Sequence, residues 1–292
     1  MRPYRTLTLE IAGRTMELSK TSIYRIFGVT GLDAPDKAVE IMESGSSDGG
    51  FIVSDRLTAR HIVIDFEVSD RNRVEECRDF LMRFLRPKDG GVLTAERNGS
   101  RRRIEFYIEA RPEFTQINII HNRLRVVLPL VCPDPFFYDA EETAKNFMVH
   151  VPMMYFPLTS MVGRGVTAGL VTPSDRLTLT NDGDEPAGIV CTVRAVGGAV
   201  VNPGVWVRPL GVADGGDFVR VERTLAIGDE LIIDTRIGRK NIYVNGETFF
   251  QFDPRSVFFA LPLGESEITV TADSGIAFAQ TSVAFRRKFY GV

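Results

Sequence analysis

Three histidines and three cysteines are all that this chain of 292 residues holds for imidazole or thiol chemistry. A nucleophilic Ser or Cys needs a base within reach. His61, His121 and His150 lie in no catalytic signature, and no GxSxG elbow occurs. The nearest approach is Cys132, in the stretch VCPDPFFYD (131–139), with His121 upstream on the same run. Nothing in that placement gives the thiol a base, so Cys132 reads as structural. His61, Asp65 and Glu67 alternate onto one side of RHIVIDFEV and are donor types that hold divalent ions. The outward face of any half-buried strand has the same composition, and no metal is assigned. Asn181, Asp182, Asp184 and Glu185 in NDGDEP supply half a calcium loop without its later glutamate, which leaves a polar turn. There is neither a P-loop nor a GxGxxG. Arg101–Arg103 follows a turn signal and reads as a solvated strand edge that discourages edge-to-edge pairing. Trp206, the one tryptophan, alternates with Val205 and Val207 in GVWVRP, a pattern that fits a core position and an exposed one equally; exposed, it is the residue that could stack on a sugar. No catalytic residue, cofactor or metal site is expected.

The totals agree with that. Net charge is −3, so there is no global electrostatic case for nucleic acid or an anionic membrane surface. Cysteines that are odd in number and widely spaced, with no CxxC, suit a reducing compartment. The N-terminus alternates polar and apolar residues without an apolar h-region, and no run approaches the ~18 apolar residues of a membrane span. Folding in a cytoplasm, with no membrane partner, is the expectation.

Period two dominates the elements that would position any site. In RHIVIDFEV, Ile62, Ile64, Phe66 and Val68 share one face; RRRIEFYIEA repeats this with Ile104, Phe106 and Ile108. Asn98-Gly99 and Asn245-Gly246 are strong hairpin signals. One helix is expected in SDRNRVEECRDFLMRFLRP, with Val74, Cys77, Phe80, Leu81, Phe84 and Leu85 on its buried stripe, Ser69 or Asp70 as N-cap and Pro87 as stop. The Gly/Ser/Asp-rich stretch at about 29–51 reads as a long loop or extended arm, an oddity inside a compact domain unless it reaches a partner. In VCPDPFFYD, Pro133 and Pro135 end a strand at a domain exit. Short strands separated by turn clusters resume past residue 170 and argue a β-sandwich. The expected fold is mainly β: an α+β domain at 1–140, a linker at 141–170, and a C-terminal β-sandwich at 171–292.

The order of these features resembles the distal tail protein (Dit) family of long-tailed phages, a siphovirus-type tail component. The resemblance rests on LTLEIAG and IYRIFGVTG, a loop ending Asp48-Gly49-Gly50, the strand ARHIVIDFEV, the helix ending FLMRFLRP, then GVLTAERNGSRRRIEFYIEA and a strand into PLVCPDPFFYD. It continues more weakly through NIYVNGE, ALPLGESEITVTA and VAFRRKFYGV. What it implies is a non-enzymatic virion component at the tail tip, assembled in the host cytoplasm. In this family a homohexameric ring joins the tail tube protein to the tail-associated lysin or fibre-base protein, and a galectin-like second domain can carry a receptor-binding protein. It also implies that the arm clasps a neighbouring subunit, with Gly31, Leu32, Pro35, Ile41, Met42, Gly49, Gly50 and Phe51 as its interface residues. The competing reading is a lectin-like module acting in host adsorption, with Trp206 as a glycan contact.

Overall fold

The computed structural model describes residues 6–43, 45, 48–70, 72–118, 123–147, 150–152, 169–171, 176–212 and 215–292. The chain divides into two units, one of residues 1–140 with 288–292 and the other of 141–287. Most of the stretch expected to link two domains lies outside the described residues, as does His121.

In the first unit the strands are β1 (Thr6–Ile11), β2 (Arg14–Ser19), β3 (Tyr24–Thr30), β4 (Lys37–Glu43), β5 (Gly50–Leu57), β6 (Arg60–Val68), β7 (Gly90–Arg97), β8 (Ser100–Ile108), β9 (Glu113–Asn118), β10 (Arg123–Cys132) and β11 (Phe137–Asp139). All but β4 and β5 belong to one sheet, antiparallel except at the short β2–β3 pairing. The run β8-β7-β1-β2-β3-β6-β10 returns to β8 through Leu130↔Ile108, so the sheet closes into a barrel and loses most of its free edges. Inward residues at every second position fill it: Leu7, Leu9 and Ile11 from β1, Ile62 to Val68 from β6, and Val126 to Leu130 from β10. Helix α1 (Val74–Phe84) adds Val74, Cys77, Leu81 and Phe84 to that core.

Two expectations for the helix need correction. Phe80 is off the buried stripe: it is partly exposed and stacks on Phe84 at 5.5 Å and on Tyr24 at 6.3 Å. Neither Ser69 nor Asp70 caps the helix. Arg73 holds the cap position with no side-chain bond, while Asp70 Oδ1 accepts the backbone N–H of Asn72 at 3.0 Å in a turn ahead of it. The helix ends before Pro87, as a residue lacking an N–H requires.

VCPDPFFYD stops one strand and starts another. Asp134 accepts the N–H of Phe136 (3.2 Å) and the hydroxyl of Tyr138 (2.5 Å), which turns the chain back so that β11 pairs with β8. The far side of β11 pairs with the C-terminal strand Lys288–Phe289, so the end of the chain completes the first unit's sheet.

In the second unit the strands are β12 (Thr143–Phe147), β13 (His150–Pro152), β14 (Gly169–Val171), β15 (Arg176–Asn181), β16 (Ile189–Ala195), β17 (Val200–Val201), β18 (Gly204–Pro209), β19 (Asp217–Arg220), β20 (Thr224–Leu225), β21 (Glu230–Asp234), β22 (Asn241–Val244), β23 (Glu247–Thr248), β24 (Gly264–Thr271) and β25 (Ala279–Phe285). Two sheets, β12-β25-β16-β21-β22-β23 and β15-β24-β18-β19, pack face to face. Ile189, Cys191, Val193, Ile233 and Val283 of one meet Val205, Val207, Val219, Ile268 and Val270 of the other in a single core. The start of the expected linker is strand β12, whose alternation was too short to register.

Candidate functional site

The residues read as candidates for chemistry are held apart by structure. Burial pushes the Cys132 thiol up to about 12, against a smaller opposing pull from the Arg60 charge, and burial alone does the same to Cys191. Cys77 is buried too. His61, Asp65 and Glu67 do share a face, but each is paired elsewhere. His61 Nδ1 lies 3.0 Å from Glu109, Arg125 donates both to Asp65 Oδ1 (2.7 Å) and to Oδ2, and Arg123 reaches Glu67 at 3.4 Å. Asn181 is buried and closes its own turn, donating to the carbonyls of Glu185 and Leu261 (both 3.1 Å). Asp182 accepts from Arg287 at 2.9 Å, a hydrogen bond that holds its carboxyl below the usual range. Within Arg101–Arg103, Arg102 lies 3.6 Å above the Phe289 ring and donates to the Gly291 carbonyl. Among the described residues no cluster of His, Cys, Asp and Glu could hold a metal ion.

What stands out instead is an exposed apolar surface. Strands β4 and β5 form a two-stranded sheet outside the barrel, where the sequence suggested a long loop or an extended arm. The hairpin outlasts the expected arm, since its second strand runs on to Leu57. Every residue of β4 is exposed, yet Ile41 (61%), Met42 (54%), Phe51 (58%) and Ile52 (61%) are large and apolar. Ile41 pairs with Ile52 and Met42 with Phe51. Cross-strand partners share a face and successive residues alternate, so the hairpin is apolar on both faces. An isolated two-stranded hairpin is marginal in water and ordinarily needs a surface to lie against.

The base of this hairpin is anchored firmly. Asp36 O accepts the N–H of Thr58 at 3.0 Å, and Lys37 pairs with Asp55 at 2.5 Å. Arg60, the first residue of β6 and three past the end of β5, is buried and spends its guanidinium on backbone carbonyls: Nε to Pro135 (2.8 Å), Nη1 to Gly31 (2.8 Å) and Asp33, Nη2 to Tyr290. Burial pulls this guanidinium below its ordinary value, while Asp33 and Asp36 oppose the shift. One side chain thus ties together the arm's root, the turn after β10 and the C-terminal segment. Gly31 sits at φ +83, and a Cβ there would lie 2.0 Å from the His61 carbonyl oxygen, so only glycine fits.

The eight residues expected to carry the arm's contacts separate into two groups. Ile41, Met42, Phe51, Gly49 (φ +94) and Gly50 belong to the exposed hairpin; Gly50 is not at positive φ but lets the Met42 carbonyl approach, 2.7 Å from where its Cβ would be. Gly31, Leu32 and Pro35 belong to the root. Leu32 is buried in the barrel core and its carbonyl accepts the N–H of Val292 at 3.2 Å, so it is a core residue. Reading residues one by one missed Arg60, and its only signal was an arginine where the strand alternation puts an inward position.

A groove of about 500 Å³ runs between α1 and the β2–β3 connection, with Tyr24, Cys77 and Phe80 among its lining. A smaller hollow of about 160 Å³ on the six-stranded sheet is lined by polar residues such as Asn146, Arg194 and Glu230. Trp206 is half-exposed on the outer face of the other sheet.

Comparison with known proteins bears on all of this. Residues 209–289 match the family described as siphovirus-type tail component, C-terminal domain. No curated protein matches the chain in sequence. The Dit protein (gp 19.1) of phage SPP1, described as a paradigm of hub adsorption apparatus in phages infecting Gram-positive bacteria, aligns over 97% of this chain and 99% of its own. Its TM-score is 0.68 at 14% identity. A chain of the phage P2 baseplate in its activated conformation with Ca aligns over 98% of this chain and 99% of its own, at TM-score 0.54 and 11% identity. The strontium form of the phage p2 baseplate gives 99% and 100%, at TM-score 0.56 and 11% identity. The chain therefore has the mainly β fold of phage tail-hub and baseplate chains, in both of its units. The later half of its second unit also falls within the family match, a C-terminal domain of siphovirus-type tail components.

Proposed function

We propose that this protein is a structural hub of a long-tailed phage: a Dit-type distal tail protein of the virion's tail tip, built in the host cytoplasm and without catalytic activity. In this reading six copies form a ring that joins the tail tube protein to the tail-associated lysin or fibre-base protein, with the second unit free to carry a receptor-binding protein. The observation that carries the proposal is the β4–β5 hairpin, apolar on both faces, exposed along nearly all its length in the single chain and tied at its root by Arg60. A tied, exposed apolar arm suits a heterologous contact, in which one patch of a copy meets a different patch of the next and rotation closes the ring. Full-length likeness to hub and baseplate chains supports the same reading.

The test is the native mass of the full chain by mass photometry, with image averages of the main species, alone and with its tail-tube neighbour. Sixfold rings near six times 32.5 kDa are expected in one of those two states. The double variant Ile41→Ser/Phe51→Ser should abolish them while leaving the unfolding free energy of the monomer within ~0.5 kcal/mol, because both side chains are exposed in the single chain. A chain that stays monomeric in both states, or a variant that assembles as the parent does, would overturn the proposal.

A further inference from the structure

The outer face of the β15-β24-β18-β19 sheet, in the other unit from the arm, holds a second arrangement. Trp206 on β18 is opposite Phe218 on β19, and their rings stack at 4.3 Å and 20°. The indole is 38% exposed, and its orientation is fixed by donation from Nε1 to Thr271 Oγ1 at 3.2 Å. Beside this stack the strand carries Gly204, where a Cβ would come within 3.3 Å of the Arg220 stem. Because that position is bare, Arg220 lies across β18 and donates to Asp273 Oδ1 at 2.5 Å. Asn202 donates to the other oxygen, Oδ2, at 2.7 Å. Arg220 and Asp273 keep 35% and 48% of their side-chain surface open to water.

We propose that this face binds a neutral saccharide. The Trp206–Phe218 stack would take the C–H face of a pyranose ring, and the Arg220–Asp273–Asn202 fork would take its neighbouring hydroxyls. Three features point to that chemistry. An aromatic face is electron-rich and attracts polarised C–H groups, which a sugar presents on the side opposite its hydroxyls. A guanidinium and a carboxylate side by side offer a donor and a strong acceptor at the spacing of a vicinal diol. The charges of that pair cancel, which favours an uncharged ligand over an acidic one. The groups are also locked by one another before any ligand arrives, so little ordering remains to be done on binding.

Trp206 is the only tryptophan in the chain, so fluorescence reads this face alone. The full-length protein is titrated with lactose, maltose and chitobiose while emission and acrylamide quenching are followed, and is then applied to a printed array of neutral oligosaccharides. A saturable emission shift with protection from acrylamide is expected for at least one sugar class. Asp273→Asn, which keeps the shape, should weaken that binding about tenfold, and Trp206→Ala should remove the array signal. If Trp206→Ala fails to melt as a folded protein, Asp273→Asn decides. No emission change with an empty array, or binding that survives in Asp273→Asn and in folded Trp206→Ala, overturns the assignment. The readout is the same for a monomer and for a ring, so this site stands or falls apart from the hub reading.

Discussion

Arg60 shows how much one buried side chain can organise. Its guanidinium replaces water for carbonyls of Gly31, Asp33, Pro135 and Tyr290, residues far apart in sequence. Replacing it with Met keeps the stem and removes every donor, leaving buried acceptors unmet at about 1–3 kcal/mol each where water cannot enter. Arg60→Met should therefore lose about 3–5 kcal/mol in urea unfolding, and limited proteolysis should cut first around Asp33. The cysteines make the opposite case, residues that look reactive and are inert. With its thiol pushed up to about 12, Cys132 would be about one part in ten thousand thiolate at pH 8. A thiol reagent at pH 8 should label none of the three in the native protein and all of them in urea. Rapid labelling of Cys132 in the folded state would contradict its burial. The burial of Cys77 and Cys132 was legible in sequence, from the apolar stripe of the helix for the one and the want of a nearby base for the other. Arg60 was not, since its partners are backbone atoms that sequence does not distinguish.

At the scale of elements, the turns carry a lesson internal to the chain. Asn98-Gly99 and Asn245-Gly246 have φ values of 51/81 and 51/82, which residue type alone announces. Ala12-Gly13 adopts the same geometry at 49/74 but gives no such signal, because alanine is strained in the left-handed region by ~1–2 kcal/mol. Ala12→Asn should thus stabilise the first unit by about 1 kcal/mol, seen as a raised thermal midpoint; a lowered one would mean that the Ala12 methyl is needed where it is. The barrel strands were readable because each buries one face, so period two is written into them. The arm was legible only as an anomaly, a long loop or extended arm, and not as a hairpin: it buries neither face, and its apolar residues follow no one-sided pattern. The helix was readable in position but not in its cap or at Phe80, where stacking on Tyr24 competes with burial.

At the scale of the molecule, the chain leaves the first unit at residue 140 and rejoins it at 288, so the last strand is a late and non-local part of an N-terminal fold. Alternation in so short a segment cannot reveal which sheet it joins, and the sequence reading kept the closing residues with the sandwich. Phe289 is buried in the barrel core under Arg102, and Arg97 donates to the Val292 carbonyl at 2.7 Å. The two units have separate hydrophobic cores, so unfolding need not follow a single transition. Phe289→Ala removes a large ring from the first core only, at a cost of about 3 kcal/mol. Calorimetry should show the transition of the first unit lowered and that of the sandwich unmoved, although position 289 adjoins the sandwich in sequence. Ile233→Ala, in the second core, should do the reverse. If both variants lowered both transitions equally, the units would be one cooperative body. A rooted arm on an independently folding barrel would then no longer describe this protein.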